Sequence, residues 1–328
     1  MYDFKLDQVC AFILSKGAMT VALQMPEGLK THAQRIGDEI KARTKANIII
    51  LGDPCYGACD LSPHYSRYAD VLVHFGHAEI PSMLTSDRVL FVEVRFDFDL
   101  IPLLEKALPM VMKSVGLVTT IQHVLMLTTA KAFLEGKGRA CLIGKGDGRI
   151  KHEGQVLGCN VTSAYAVRRD VEQFIFIGSG DFHPLAVSLE TRRPVLALDP
   201  VMDEIRTMEQ LTDRVLRQRY AAIARAQDGK RFGILVSSKS GQDRFALALD
   251  LADRLRSKGK QADIIVMDEI GPNQLMPFQA DAFVSTACPR LAIDDQVRYP
   301  RPLLTPVELE VLLGEREWDE YRMDSILG

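Results

Sequence analysis

Apolar and polar positions along this chain follow two alternating periods, and the alternation recurs three times. Short runs rich in Val and Ile are apolar at nearly every position, which predicts strands buried on both faces. The stretches between several of these runs repeat their apolar residues with the 3.6-residue period of a helix lying on a sheet. Strands that alternate with helices in this way indicate parallel sheets.

The three copies have similar lengths and similar element orders. The first copy predicts a helix at 32–44 and strands at 21–28, 47–53, 69–76 and 88–94. The second predicts an apolar helix at 121–135 and strands at 139–144, 154–159, 172–180 and 193–199. The third predicts an amphipathic helix at 243–259 and strands at 231–238, 260–268 and 280–288, with a short one within 302–309.

The chain is therefore predicted to be an α/β protein of three similar domains, each a small parallel sheet flanked by helices. We expect domain 1 at residues 1–110, domain 2 at 111–205 and domain 3 at 206–328, each near a common domain size. Ligands of such sheets gather beyond the carboxyl ends of the strands. A pseudo-threefold arrangement would turn those ends toward one centre.

Composition narrows the class of protein. With 328 residues, 47% apolar and 25% charged, the chain has the profile of an ordinary globular protein too long for one core. A net charge of −3 gives no general attraction to nucleic acid or to an anionic membrane. No signal peptide and no apolar run long enough to span a bilayer is evident, so we expect a cytoplasmic protein. Arg214, Arg217 and Arg219 are expected on a solvated helix face.

Three of the six cysteines suggest a shared metal centre. Cys59, Cys159 and Cys288 each follow a predicted strand, one in each domain, and are separated by 100 and 129 residues. A local metal-binding loop is excluded by that spacing, whereas convergence of strand ends allows one site. Three thiolates leave a fourth coordination position open, as catalytic metal sites do. Packing as small buried hydrophobic residues is the alternative.

The other three cysteines carry less information. Cys10 and Cys141 lie inside apolar runs and are expected in the core. Cys55 is ambiguous, because Cys55 and Cys59 together could supply two ligands at one corner of a site.

The cysteine segments resemble a known family. Residues 52–60 read Gly-Asp-Pro-Cys-Tyr-Gly-Ala-Cys-Asp, residues 157–160 read Leu-Gly-Cys-Asn, and residues 286–290 read Thr-Ala-Cys-Pro-Arg. These runs, with Pro-Glu-Gly-Leu at 26–29 and Gly-Ser-Gly-Asp-Phe-His at 178–183, resemble the archaeal enzyme of the first step of diphthamide biosynthesis. The resemblance extends over essentially the whole chain.

The resemblance implies a homodimer in which Cys59, Cys159 and Cys288 hold a 4Fe-4S cluster that engages S-adenosylmethionine. It implies that an electron donor reduces the cluster and that the Cγ–S bond of the cofactor breaks, giving methylthioadenosine and a 3-amino-3-carboxypropyl radical. That radical adds to imidazole C2 of one histidine in translation elongation factor 2. The Cys-x3-Cys-x2-Cys loop of ordinary radical enzymes is missing, because Ser62 occupies its third position.

Residues that contact the cofactor are predicted from charge and location. The aminocarboxypropyl end carries a carboxylate and an ammonium, which need N–H donors or a cation and an acceptor. The turn at 237–242 follows a strand and offers Ser238, Lys239, Gly241 and Gln242, and Arg290 lies two residues beyond Cys288. A plain polar loop and an exposed arginine are the alternatives.

Three histidines lie at predicted strand ends near the proposed centre. His74, His77 and His183 could bind the cofactor or guide the substrate imidazole. Structural histidines held by hydrogen bonds are the alternative.

Three other functions remain open. Quinolinate synthase also joins three related domains around a 4Fe-4S cluster, although its His-Pro-Glu-Cys element is missing before Cys288. A non-catalytic subunit of a diphthamide synthase is a second possibility, against which the retained three cysteines argue. A structural zinc site is the third, but it would need a fourth, closing ligand.

Overall fold

The first sheet is built from strands near the amino terminus of the computed structural model, which describes residues 2–328. Four parallel strands lie in the order β3-β2-β4-β5, and β1 forms a small antiparallel pair with β6. The elements are β1 (Tyr2–Asp3), α1 (Leu6–Ser15), β2 (Thr20–Gln24), α2 (Ala33–Thr44), β3 (Asn47–Ile50), β4 (Val71–Phe75), β5 (Val89–Val92) and β6 (Arg95–Phe96).

The second sheet repeats this topology and adds one strand. Its parallel strands lie in the order β8-β7-β9-β10, and β11 pairs antiparallel with β10 at the edge. The elements are α3 (Ile101–Ala107), β7 (Ser114–Thr119), α4 (Met126–Gly136), β8 (Ala140–Leu142), α5 (Thr162–Val167), β9 (Gln173–Ile177), α6 (Phe182–Thr191), β10 (Val195–Asp199) and β11 (Glu204–Thr207).

The third sheet has the order β13-β12-β14-β15, with all strands parallel. The elements are α7 (Glu209–Ala226), β12 (Arg231–Ser237), α8 (Phe245–Ser257), β13 (Gln261–Met267), α9 (Pro272–Leu275), β14 (Ala282–Ser285), α10 (Arg290–Ile293), β15 (Leu303–Leu304) and α11 (Pro306–Leu312). In all three sheets the first parallel strand lies between the second and the third. The predicted α/β class with three small, mostly parallel sheets is confirmed.

The central strands are buried on both faces, as their continuous apolar sequences predict. In β9, Phe174 and Phe176 enter one core cluster, whereas Ile175 and Ile177 enter the cluster on the opposite face of the sheet. The second sheet thus has apolar side chains packed on both of its faces. None of the helices within residues 2–328 is long and apolar enough to cross a membrane.

The domain boundaries stay predictions. The boundary expected after residue 205 falls within β11, which pairs with the second sheet. Residues of the carboxyl-terminal segment also contact that sheet's loops: the amide of Ile326 donates to the carbonyl of Cys159 at 2.8 Å.

One predicted strand is wrong. Residues 154–159 form only isolated bridges, at Gln155 and Leu157. The second sheet has its own first strand, β7, in a part of the chain where no strand was predicted. Gly154 has a φ of +70°, and a Cβ on Gly158 would lie 1.9 Å from the Phe182 ring. The backbone of this segment is therefore irregular and packs closely against neighbouring side chains such as Phe182. Its apolar sequence gave no sign of this.

The prediction for Arg219 is also wrong. Its side chain is 1% exposed, and its Nε donates to Glu308 at 2.7 Å, while its NH1 and NH2 groups donate to the carbonyls of Ala292 and Leu303. Glu308 closes a capping box with Thr305 at the start of α11. The guanidinium therefore joins α7 to the segments that contain Ala292, Leu303 and Glu308. Arg217, by contrast, is exposed as expected.

Replacing Arg219 by Leu should lower the free energy of unfolding by about 3–5 kcal/mol, because the Glu308 carboxylate would stay buried without its cation. The matched variant Arg217→Leu should change it by less than about 0.5 kcal/mol. Anaerobic urea unfolding of samples with equal metal content measures both. An Arg219→Leu protein with the parent's midpoint would contradict this role.

Candidate metal centre

The three predicted cysteines face one space between the three sheets. Cys59 lies in the loop after β3, Cys159 in the irregular segment after β8, and Cys288 between β14 and α10. All three are free and half-buried. Burial is the main cause that raises the pKa of Cys288, and the neighbouring thiols of Cys159 and Cys59 raise it further. Burial, with a smaller effect of the Cys59 thiol, raises the pKa of Cys159 to about 12. Such mutual effects require sulfurs that lie near one another.

The spacing of these thiols suits a group of several metal atoms. Within residues 2–328, the one set of three ligand atoms that all lie within 4.8 Å of one another is formed by Cys55, His74 and His77. Three sulfurs on a single zinc ion would be about 3.8 Å apart. The three cysteines therefore form a wider triangle than one tetrahedral ion needs.

Gly241 holds the Cys59 loop by close backbone contact. The Gly241 amide donates to the carbonyl of Cys59 at 3.0 Å. The Gly241 carbonyl accepts from the Arg149 guanidinium at 3.1 Å. A Cβ on Gly241 would lie 2.4 Å from the Cys59 Cα. Only a glycine fits here, because any side chain would push the cysteine's backbone away.

Gln242 connects two of the cysteines. Its Nε2 donates to the Cys59 Sγ at 3.4 Å, and its Oε1 accepts from the Cys288 amide at 3.3 Å. The side chain is buried, and its hydrogen bond lowers the pKa of the Cys59 thiol against the larger raising effect of burial. The residue thus fixes the first and third units in relation to each other at the centre itself.

Lys239 anchors the residue that follows Cys59. Its Nζ lies 3.0 Å from the Asp60 carboxylate, contacts the Glu269 carboxylate, and sits over the Tyr56 ring at 4.8 Å from the centroid. Burial alone would lower the pKa of this ammonium, but hydrogen bonds to Glu269 and Asp60 raise it. The side chain is therefore a permanent cation committed to ion pairs.

Ser238 and Arg290 lie further out. Ser238 is exposed, and its hydroxyl donates to Asp268 at 3.2 Å. Arg290 is exposed, with its Nε paired to Asp294 at 2.9 Å and its guanidinium over the Phe182 ring. Contact of either residue with a cofactor stays a prediction.

Burial disfavours the charged form of all three histidines. It lowers the pKa of His77 and of His183 to about 4, and burial together with the neighbouring His77 lowers the pKa of His74 well below its usual value. His183 stacks on Phe176 with parallel rings. His74 Nε2 lies 2.9 Å from His77 Nδ1. His77 also acts on the pKa of His183, so the histidines form one group near the centre.

Sequence reasoning did not assign a role to Asn160. Its Nδ2 donates to the Asp147 carboxylate at 3.0 Å and to the carbonyl of Ile326 at 3.0 Å. Its Oδ1 accepts a hydrogen bond from the Thr162 hydroxyl. These bonds fix the backbone beside Cys159. Its position directly after the cysteine was the only signal in the sequence.

Comparison with known proteins decides the family. A family model described as putative diphthamide synthesis protein matches residues 25–322. The chain belongs to this family. It is 38% identical over 317 residues to 2-(3-amino-3-carboxypropyl)histidine synthase of Pyrococcus horikoshii, covering 95% of this chain and 90% of that protein. It is also 33% identical over 332 residues to subunit 1 of the synthase of Gallus gallus, covering 98% and 80%.

A solved structure of the diphthamide synthesis family has the same fold. The crystal structure of Dph2 from Pyrococcus horikoshii with a 4Fe-4S cluster superimposes with a TM-score of 0.90 at 35% identity. The match covers 100% of this chain and 95% of the other. The 4Fe-4S cluster is that of the Pyrococcus protein, whose fold this chain shares along its whole length.

Substituting Gly241 by Ala should lower the free energy of unfolding by about 1–3 kcal/mol, the usual cost of overpacking, since its Cβ would meet the Cys59 backbone. Gly52→Ala is the matched control, because a Cβ there meets nothing within 4 Å in the same loop. Denaturant unfolding under anaerobic conditions measures the difference. Equal midpoints for the two variants would mean that the loop can move aside freely.

Proposed function

We propose that this chain is a 2-(3-amino-3-carboxypropyl)histidine synthase, the enzyme of the first step of diphthamide biosynthesis. It cleaves the Cγ–S bond of S-adenosylmethionine and transfers the 3-amino-3-carboxypropyl group to imidazole C2 of a histidine in translation elongation factor 2. The observation that carries the proposal is the meeting of Cys59, Cys159 and Cys288, from loops of the three sheets, in a triangle wider than one tetrahedral ion needs.

Cys59, Cys159 and Cys288 would hold a 4Fe-4S cluster through their thiolates and leave one iron without a protein ligand. The donor set fits, because cysteine thiolates are the usual ligands of such clusters and hydrogen bonds to their sulfurs adjust the potential. When bound and reduced, the cluster supplies one electron to the nearby sulfonium. Burial disfavours the free thiolates, so the positive charge of iron would compensate for it.

The transfer balances in electrons and atoms. One electron enters the sulfonium, the Cγ–S bond breaks, and sulfur leaves as the thioether methylthioadenosine while carbon keeps the unpaired electron. The radical adds to imidazole C2 of the substrate. The adduct would restore the aromatic ring by releasing the C2 proton to solvent and returning one electron to the oxidised cluster, so the transfer involves no net oxidation.

The chain's own residues orient the cofactor. Of the five predicted contacts, Lys239 is already paired with Asp60 and Glu269, and the Gly241 amide is bonded to Cys59. Arg290 uses only its Nε on Asp294, so its terminal nitrogens are the best candidates to bind the cofactor's carboxylate. Gln242 would then act mainly on the cluster, through its bond to the Cys59 sulfur.

The enzyme needs partners. We propose that it acts as a homodimer, as the family resemblance implies, with elongation factor 2 as its protein substrate and an external electron donor. Because the elongation factor works in the cytoplasm, we propose the same location for this enzyme. The net charge of −3 gives no reason to expect direct binding of nucleic acid.

The iron-loaded, dithionite-reduced protein should convert S-adenosylmethionine to methylthioadenosine and add an aminocarboxypropyl group to one histidine of archaeal elongation factor 2. Cys59→Ser, Cys159→Ser and Cys288→Ser should each lose iron and both products, because a cluster ligand is missing. Cys141→Ser, at a buried thiol in β8, is the control and should keep both. Anaerobic chromatography and factor mass measure the outcome. 5′-Deoxyadenosine as the only cleavage product would rule out this reaction.

Substituting Gln242 by Leu should make the cluster's midpoint potential more negative, because an N–H donor to a thiolate stabilises the reduced, more negative state. Gln227→Leu, at an exposed glutamine of the third unit, should leave it unchanged. Redox titration followed by electron paramagnetic resonance compares the two at equal iron content. An unshifted potential in Gln242→Leu would remove this residue from the cluster's surroundings.

A further inference from the structure

Cys55, His74 and His77 form a second group of metal-binding side chains beside the three-cysteine centre. The Cys55 Sγ, one nitrogen of His74 and one of His77 all lie within 4.8 Å of one another. Cys55 and His74 are buried, while His77 is half-buried. Cys55 is in the loop before Cys59, His74 is in β4, and His77 follows in the next turn.

A buried glutamine sets the tautomer of His74. The Gln24 Nε2 donates to the carbonyl of Asp60 at 2.8 Å, so its Oε1 must face His74 Nδ1, which lies 3.0 Å away. An amide oxygen only accepts, so Nδ1 of His74 carries the proton and Nε2 presents a lone pair. Metal-binding histidines commonly have this support, with the other ring N–H held by an acceptor.

The distances suit a tetrahedral ion. His74 Nε2 and His77 Nδ1 are 2.9 Å apart, compared with about 3.3 Å for two nitrogens on one zinc ion. Without an ion, the His77 Nδ1–H donates to His74. With an ion, His77 needs only to move its proton to Nε2. On such an ion the Cys55 sulfur would lie about 3.6 Å from each nitrogen, within the 4.8 Å that already contains all three ligand atoms.

We propose that Cys55, His74 and His77 bind one zinc ion, with a fourth position open to water or another small ligand. One thiolate and two imidazoles are typical zinc ligands, whereas calcium and magnesium prefer oxygen. The site is separate from the cluster ligands, because none of Cys59, Cys159 and Cys288 belongs to it. It also does not depend on the proposed transferase activity.

The ion would link the Cys55–Cys59 loop to the first sheet. Cys55 belongs to the loop, while His74 belongs to β4, whose register sets it beside Gln24 of β2. The Gln24 side chain already joins this part of the chain to β2, donating to the carbonyl of Asp60 at 2.8 Å and accepting from the amide of Ser62 at 3.4 Å. Zinc would therefore help to position the loop that carries Cys59, which Gly241 of the third unit also contacts.

The test measures zinc on the full-length, cluster-loaded protein after dialysis against equimolar zinc. We expect one zinc per chain, and X-ray absorption at the zinc edge should give one sulfur at about 2.3 Å and two nitrogens at about 2.0 Å. Cys55→Ser removes a ligand itself. Its zinc affinity should therefore fall by more than the roughly 10–100-fold that is lost when a residue hydrogen-bonded to a metal ligand is replaced. Cys141→Ser should bind zinc as the parent does.

A second variant covers the case in which Cys55→Ser folds poorly. His77→Gln changes the half-buried ligand and should weaken zinc binding while keeping the parent's iron content. Absence of zinc from the parent protein would overturn the proposal. So would a zinc shell with three sulfurs, which would place the ion on the cluster cysteines, or equal zinc affinity in His77→Gln and the parent.

Discussion

The backbone of Cys59 lies directly against Gly241, and the centre of the molecule depends on that contact. The two residues come from different sheets, 182 positions apart in the chain. Because a Cβ would not fit between them, the loop of one unit and the strand-to-helix turn of another are fixed at van der Waals distance. The neighbouring Gln242 then reaches two cysteine segments with a single side chain.

Buried polar groups, rather than apolar packing alone, join the units around this contact. Lys239 binds Asp60 across the first and third units, and Arg244 pairs with Asp324 of the carboxyl-terminal segment. Asn160 binds that same segment beside Cys159. Such groups are costly to bury unless each finds its partner, so they favour one relative arrangement of the sheets over others of similar packing.

The centre combines low solvation with the buried guanidinium of Arg149, which lowers the pKa of Cys59 and Cys159 against the larger effect of burial. Burial holds the neighbouring imidazoles neutral and raises the pKa of the thiols, while the nearby lysine is neutralised by two carboxylates. A site of this kind suits a cationic metal group that supplies the missing positive charge. It also suits a radical reaction, in which orientation and exclusion of water matter more than acid–base catalysis.

The sequence by itself determined the α/β class, the positions of most strands along the chain and the candidate role of three cysteines, because strand burial and ligand type are local properties. It missed β7 and misassigned 154–159, since an apolar run does not reveal whether it pairs in a sheet. It also placed Arg219 in solvent, because Glu308, its partner, is 89 residues away. Only the tertiary structure decided that Gln242 bonds to a cysteine sulfur and that Cys55 meets two histidines. Those contacts join atoms from separate loops, and their distances depend on how the sheets pack, which no local pattern encodes.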